Sequence, residues 1–226
     1  SVKFRGKVLA IQALAAIKRQ DAIPVLIKLM EGNLREVRRA CASALGEIND
    51  SGALEALRDS IEDRDGHVRR AAASALGRIG DRASFEPLMR HIPTERYRDV
   101  LDEMVRALLL IDEPALCARI GDLSVAAREI VGRYAQDERT ILALSNDPAQ
   151  TVKLAALAGM GNFHSDASLA RLISALQEND PEVKKAAIAS LAARNAGYDN
   201  VLTLLRDPDT WVRLSAATAL GQSGRS

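Results

Sequence analysis

Apolar and small residues recur along this chain with the period of an α-helix. The segment VRRACASALGEIND (residues 37–50) nearly superimposes on VRRAAASALGRIGD, which begins at Val68, 31 residues later. Numbering the first valine as position 0, apolar or small side chains fall at 0, 3, 4, 7, 8 and 11. In the second copy these are Val68, Ala71, Ala72, Ala75, Leu76 and Ile79. That spacing is one face of a 3.6-residue helix. The template fits eight times, starting at 6, 37, 68, 100, 123, 152, 183 and 212. In the copy at Val100, Glu103 intrudes on the apolar face.

A shorter amphipathic stretch lies between most copies, for example at residues 22–30, 53–61, 168–176 and 200–205. The unit is therefore a helix pair: helix A, a turn, helix B. Asp147-Pro148, Asp180-Pro181 and Asp207-Pro208 read as an N-capping carboxylate followed by proline at the first helical position of helix B. One helix pair cannot bury its apolar face alone, so neighbours must stack into a continuous core. Position 9 supports this: Ala15, Gly46, Gly77, Leu109, Gly132, Gly161, Ala192 and Gly221. Glycine inside a helix costs about 1 kcal/mol relative to alanine, and its recurrence at one position points to close helix approach. One interval is only 23 residues, which leaves 113–121 as a truncated helix A and predicts a kink near 93–122. Cys41 occupies position 4, where other copies have alanine, and reads as core.

Composition agrees with the pattern and narrows it. Alanine (38) and leucine (29) dominate, while aromatic residues make up only 3%. Few β-branched and aromatic residues favour helix over sheet. The longest uncharged stretch, residues 154–165, is too short to span a bilayer, which takes about 20 residues. With 31 basic and 30 acidic groups spread evenly, the chain is unlike one built mainly to hold nucleic acid. Two distant cysteines, Cys41 and Cys117, suit a reducing compartment, and we expect a cytoplasmic protein. The chain opens on Ser1 inside a helix B and stops just after another. From this, one solenoid over 1–226, excised from a longer protein, is expected.

The V-[RK]-x-x-A-x-x-A-L-G core in residues 68–77, 180–191 and 207–221, preceded by Asp-Pro in the latter two, resembles the short HEAT-like repeats of bilin-lyase type. The resemblance covers essentially the whole chain. It implies an all-α fold: a right-handed α-α superhelical solenoid of about eight helix pairs, with an irregular central repeat. It is specific for fold and not for task. In proteins of this pattern, a basic residue at position 1 resembles part of an internal ladder and pairs with a turn acid of its own or an adjacent unit. Here position 1 reads Lys7, Arg38, Arg69, Leu101, Ser124, Lys153, Lys184 and Arg213. Asp65, Asp180 and Asp209, four residues ahead of Arg69, Lys184 and Arg213, are compatible partners.

If helix B lines the concave surface, as the resemblance implies, position 2 faces a groove. It supplies Arg39, Arg70, Val125, Leu154, Lys185 and Leu214, and Arg106 joins them from position 6. A basic N-terminal stretch followed by apolar spots suits a partner helix or extended peptide. Trp211, entering the last helix B, reads as a cover for the end of the stack or an anchor for a further repeat.

Chemistry finds little support. His67, His91 and His164 are scattered, without metal-ligand spacing. The chain has no His-Glu dipeptide of the kind that HEAT-type deoxyhypusine hydroxylases repeat to hold iron. No catalytic residue, cofactor or metal ligand is assigned. The expected function is a non-catalytic protein-interaction scaffold. A bilin lyase-like subunit that attaches chromophore is the alternative. A nucleic-acid binder resembling HEAT-type alkylpurine glycosylases ranks last, because few aromatics are present to stack on bases.

Overall fold

The computed structural model describes residues 2–222, and they divide into two compact units meeting at Leu123 and Ser124. The described residues form helices and turns, with no strand among them.

The first unit holds α1 (Val2–Ala16), α2 (Ile23–Met30), α3 (Arg35–Ile48), α4 (Leu54–Asp59), α5 (Gly66–Ile79), α6 (Phe85–His91) and α7 (Arg98–Ala118). The period-3.6 segments are α1, α3, α5 and α7, and each packs on the next. The A helices α2, α4 and α6 pack on α3, α5 and α7. The second unit repeats the scheme. It holds α8 (Val125–Tyr134), α9 (Glu138–Leu144), α10 (Gln150–Gly159), α11 (Asp166–Ala175), α12 (Pro181–Ala193), α13 (Tyr198–Thr203) and α14 (Thr210–Gln222). There α8, α10, α12 and α14 stack in order. The fold is thus all-α and of the helical-repeat solenoid class.

The core consists of the template positions. Val68, Ala72, Ala75 and Leu76 are fully buried on α5, as are Val152 and Ala156 on α10. Cys41 is fully buried, and burial pushes its thiol up to about 12. The position-9 glycines lie where helices B touch. A Cβ on Gly46 would fall 2.6 Å from Ala75 Cβ, and one on Gly77 would fall 2.9 Å from Ala107 Cα. Gly132 and Gly161 meet α10 and α12 at 3.2 and 3.6 Å. Gly221 faces nothing among the described residues within 4 Å. The missing side chains let backbones approach, which offsets the intrinsic cost of glycine in a helix.

The short interval has a simple construction. Helix B of that repeat runs to Ile111, and the backbone leaves helical geometry at Asp112 (φ −162°, ψ 82°). Helix A then resumes at once. Asp112 Oδ1 accepts a hydrogen bond from Ala115 N (3.1 Å), capping the new turn, and its other oxygen meets Arg82 Nη2 at 2.7 Å. The usual loop between B and A is therefore absent, which is how the interval shrinks to 23 residues.

A ladder of ion pairs ties successive repeats, but its acids are not those that spacing suggests. Arg38 pairs bidentately with Asp63 (2.7 and 2.9 Å), and Arg69 does so with Glu95 (2.7 and 2.9 Å). Lys153 reaches Glu178 (2.9 Å) and Lys184 reaches Asp207 (2.6 Å). In the repeat where Ser124 instead caps α8, Arg128 takes the role and pairs with Asp147 (2.7 Å). Each partner lies in the turn that leads into the next helix B. Asp65, Asp180 and Asp209 instead accept backbone N–H bonds at the starts of α5, α12 and α14. Helix starts leave N–H groups unsatisfied, and the carboxylate nearest them is used up there. For the same reason only Asp180 of the three Asp-Pro pairs caps a helix. Asp147 and Asp207 lie farther from the helix starts, accept from Ala149 N and Asp209 N within the turn, and take ladder cations.

The ladder arginines also hold their own turns. Arg38 Nη1 donates to Gly32 O (3.0 Å), Arg69 Nη1 to Asp63 O (2.8 Å) and Arg213 Nη1 to Asp207 O (2.8 Å), each six residues back. Burial alone would raise the Asp63 and Glu95 carboxyls. The bidentate guanidinium and turn N–H groups win, lowering Asp63 and bringing Glu95 to about 2.

Candidate functional site

Position 2 is one residue beyond the ladder, about 100° further round the helix. On α3 and α5 that turn carries the side chain from the packed seam to an open hollow of about 370 Å³. Arg39 and Arg70 line it, together with Val8 and Gln12 of α1. Its floor is small: Ala40, Ser43, Ala44, Ala71 and Ser74. Positions 2, 6 and 10 share a helix face, so Glu47 and Arg78 extend the hollow one turn further. His67 stands at the opposite edge.

Arg39 and Arg70 are exposed. Among the described residues Arg39 makes no side-chain hydrogen bond or ion pair, whereas Arg70 lies 3.5 Å from Asp99 and 4.0 Å from Glu103. Arg106 is half-exposed and 3.7 Å from the same Glu103. Glu103, the acid that intrudes on the apolar template, therefore lies beside the arginines of the hollow. The N-terminal stretch is thus mixed in charge rather than uniformly basic.

The remaining candidates lie in the second unit. Val125 is 45% and Leu214 54% exposed, and Leu154 is half-buried. Lys185 is engaged by Glu182 at 2.6 Å. Trp211 is 65% exposed at the start of α14, so it does not close over that helix.

Two residues escape the sequence pattern. Arg194 occupies position 11, where the six preceding repeats carry isoleucine, tyrosine or phenylalanine and the last has serine, yet it is nine-tenths buried. Its Nη1 donates to Ser168 Oγ (2.7 Å) and its Nη2 to Ser165 O (3.1 Å), fastening the end of α12 to the start of α11. The break in apolar character at position 11 is the signal for it. His91 is the other: its ring nitrogens lie 3.1 Å from Glu62 and 3.4 Å from Glu95. Among the described residues, no group of three or more His, Cys, Asp or Glu is placed to hold a metal ion. No described helix is long and apolar enough to cross a membrane.

The family described as HEAT repeats matches residues 5–63, 29–109 and 138–203, and a single HEAT repeat matches 198–224. No curated protein matches the chain. Among solved structures, the X-ray structure of the E. coli protein YibA aligns over 94% of this chain and 85% of its own, at 18% identity and TM-score 0.52. A chain of the CpcE–CpcF complex of phycocyanin lyase from Nostoc sp. PCC7120 aligns over 94% and 80%, at 19% identity and TM-score 0.46. An archaeal HEAT-like repeats protein from Thermococcus onnurineus NA1 aligns over 100% and 98%, at 17% identity and TM-score 0.41.

Proposed function

The chain belongs to the HEAT-repeat proteins, and from that premise we propose that it is a non-catalytic scaffold for a partner protein. The partner's helix or extended segment lies in the hollow across α1, α3, α5 and α7. The observation that carries this reading is the hollow itself: arginine walls, a floor of alanine and serine, and rigid packed helices beneath. Small floor residues admit a partner's side chains, and guanidinium groups supply directional hydrogen bonds. Val125, Leu154, Lys185 and Leu214 provide a second set of contacts in the other unit. In this reading the protein works in the cytoplasm, with Cys41 and Cys117 as free thiols.

A photo-crosslinking amino acid in place of Ser43, on the floor, tests the assignment in extract of the source organism. It should capture one defined protein, and the same group in place of Glu55, exposed on α4, should not. Capture of the same set at both positions, or at neither, removes the groove reading. Leu154→Asp tests the second set separately, by loss of the same partner.

A further inference from the structure

The charges around the hollow differ in how far they are already neutralised. Arg39 and Arg78 both line it, both are exposed, and neither side chain makes an ion pair or hydrogen bond with another described residue. A second hollow of about 490 Å³ adjoins the first through Ala15, Glu47 and Arg78, and it adds Lys18, whose ammonium is likewise unengaged. Of the acids here, Glu103 stands beside Arg70 and Arg106, while Glu47 alone has no partner. Three unengaged cations therefore face one unengaged carboxylate.

Resting on the scaffold reading above, we propose that the segment held in this groove is acidic, with side-chain carboxylates that pair with Arg39, Arg78 and Lys18. Arginine binds a carboxylate through two parallel N–H bonds, and such charge-assisted pairs are stronger than neutral ones. A polar groove on a rigid scaffold selects such a segment by charge complementarity. A nucleic acid fits less well, because among the described residues no aromatic side chain lines either hollow to stack on a base.

The ladder provides an internal control. The full chain, labelled with nitrogen-15, is titrated with an alanine-based helical peptide carrying paired glutamates, with its glutamine twin, and with oligothymidine. The Nε–H signals of Arg39 and Arg78 should move with the glutamate peptide, while those of Arg38 and Arg69 stay in place. Binding should weaken as salt rises and fall at least about tenfold in an Arg39→Glu/Arg78→Glu double variant, which removes two charged contacts. The melting temperature of that variant should stay unchanged, because neither side chain holds the fold.

Equal movement of the Ser43 and Ser74 amides with the glutamine twin would overturn the acidic partner and leave the groove reading standing. Stronger binding of oligothymidine than of the glutamate peptide would overturn it in favour of nucleic acid. Silence of every groove signal with all three probes would overturn both the acidic partner and the groove.

Discussion

Arg38 and Arg39 are neighbours on α3, and Arg69 and Arg70 are neighbours on α5, yet each pair divides between two roles. Arg38 and Arg69 keep 7% and 11% of their side-chain surface exposed and bind carboxylates bidentately. Arg39 lies open without a partner among the described residues, and Arg70 reaches its acids only at 3.5 Å or more. Residue type and local sequence are the same. What differs is the 100° step that places one side chain in the seam between repeats and the next in the groove. Register therefore sorts structural from available charge, and an arginine count does neither.

The sharpest way to break this contrast is to remove each arginine in turn. Arg69→Met keeps volume but takes the bidentate partner from Glu95, whose side chain has no exposed surface and keeps only two turn N–H groups and His91, so the loss should be about 3 kcal/mol in urea unfolding. Arg70→Met should change stability by less than about 0.5 kcal/mol. Similar losses for both would mean that the two rows do not differ in kind.

Acid should attack the ladder next. The folded-state pKa of Glu95 is about 2, against an ordinary 4.5. A lowered folded value means that the unfolded chain takes up the proton first, so this stability is present above pH 4.5 and is lost as pH falls toward 2. The contribution is on the order of 3 kcal/mol. Asp63, Asp147, Glu178 and Asp207 are lowered in the same direction, each by its ladder cation against the opposing effect of burial. Urea midpoints followed down this pH range should fall steeply, and Glu95→Gln should flatten part of the slope. An unaltered slope in that variant would remove Glu95 from the ladder.

Much of this organisation is legible in the sequence, for a physical reason. Helix B is read from apolar period, and burial of Val68, Ala72, Ala75 and Leu76 follows directly. The ladder's basic row is legible too, but its acids are not. Asp63 and Asp65 are both turn carboxylates two residues apart, and only the turn's path decides which caps α5 and which takes the ladder guanidinium of Arg38. In the groove, positions 2 and 6 share a face by helical geometry, and adding one further turn reaches Glu47 and Arg78. The neutralisation of Arg70 is hidden, because Asp99 and Glu103 come from a different helix, α7. Arg194 leaves a trace only as a break in the apolar column at position 11, and that break does not say that the arginine is buried.

A smaller loss than that of the ladder is expected in the glycine column, which sets how closely the two arginine rows of α3 and α5 are held. A methyl group on Gly46 would lie 2.6 Å from Ala75 Cβ and 2.7 Å from Ala75 Cα. The second atom is backbone, so α5 itself must shift, and Gly46→Ala should cost about 1–3 kcal/mol as overpacking. The shift would also part Arg38 from Asp63, so the variant should gain exposure at the ladder while Arg39 is unaffected. Gly221 is the same position on α14 with nothing among the described residues within 4 Å. There the methyl group meets no neighbour, and helix propensity alone acts, so Gly221→Ala should raise stability by about 0.5 kcal/mol. Opposite signs at one repeat position, read as shifts in melting temperature, would place the requirement for glycine in the neighbouring helix rather than in the helix that carries it.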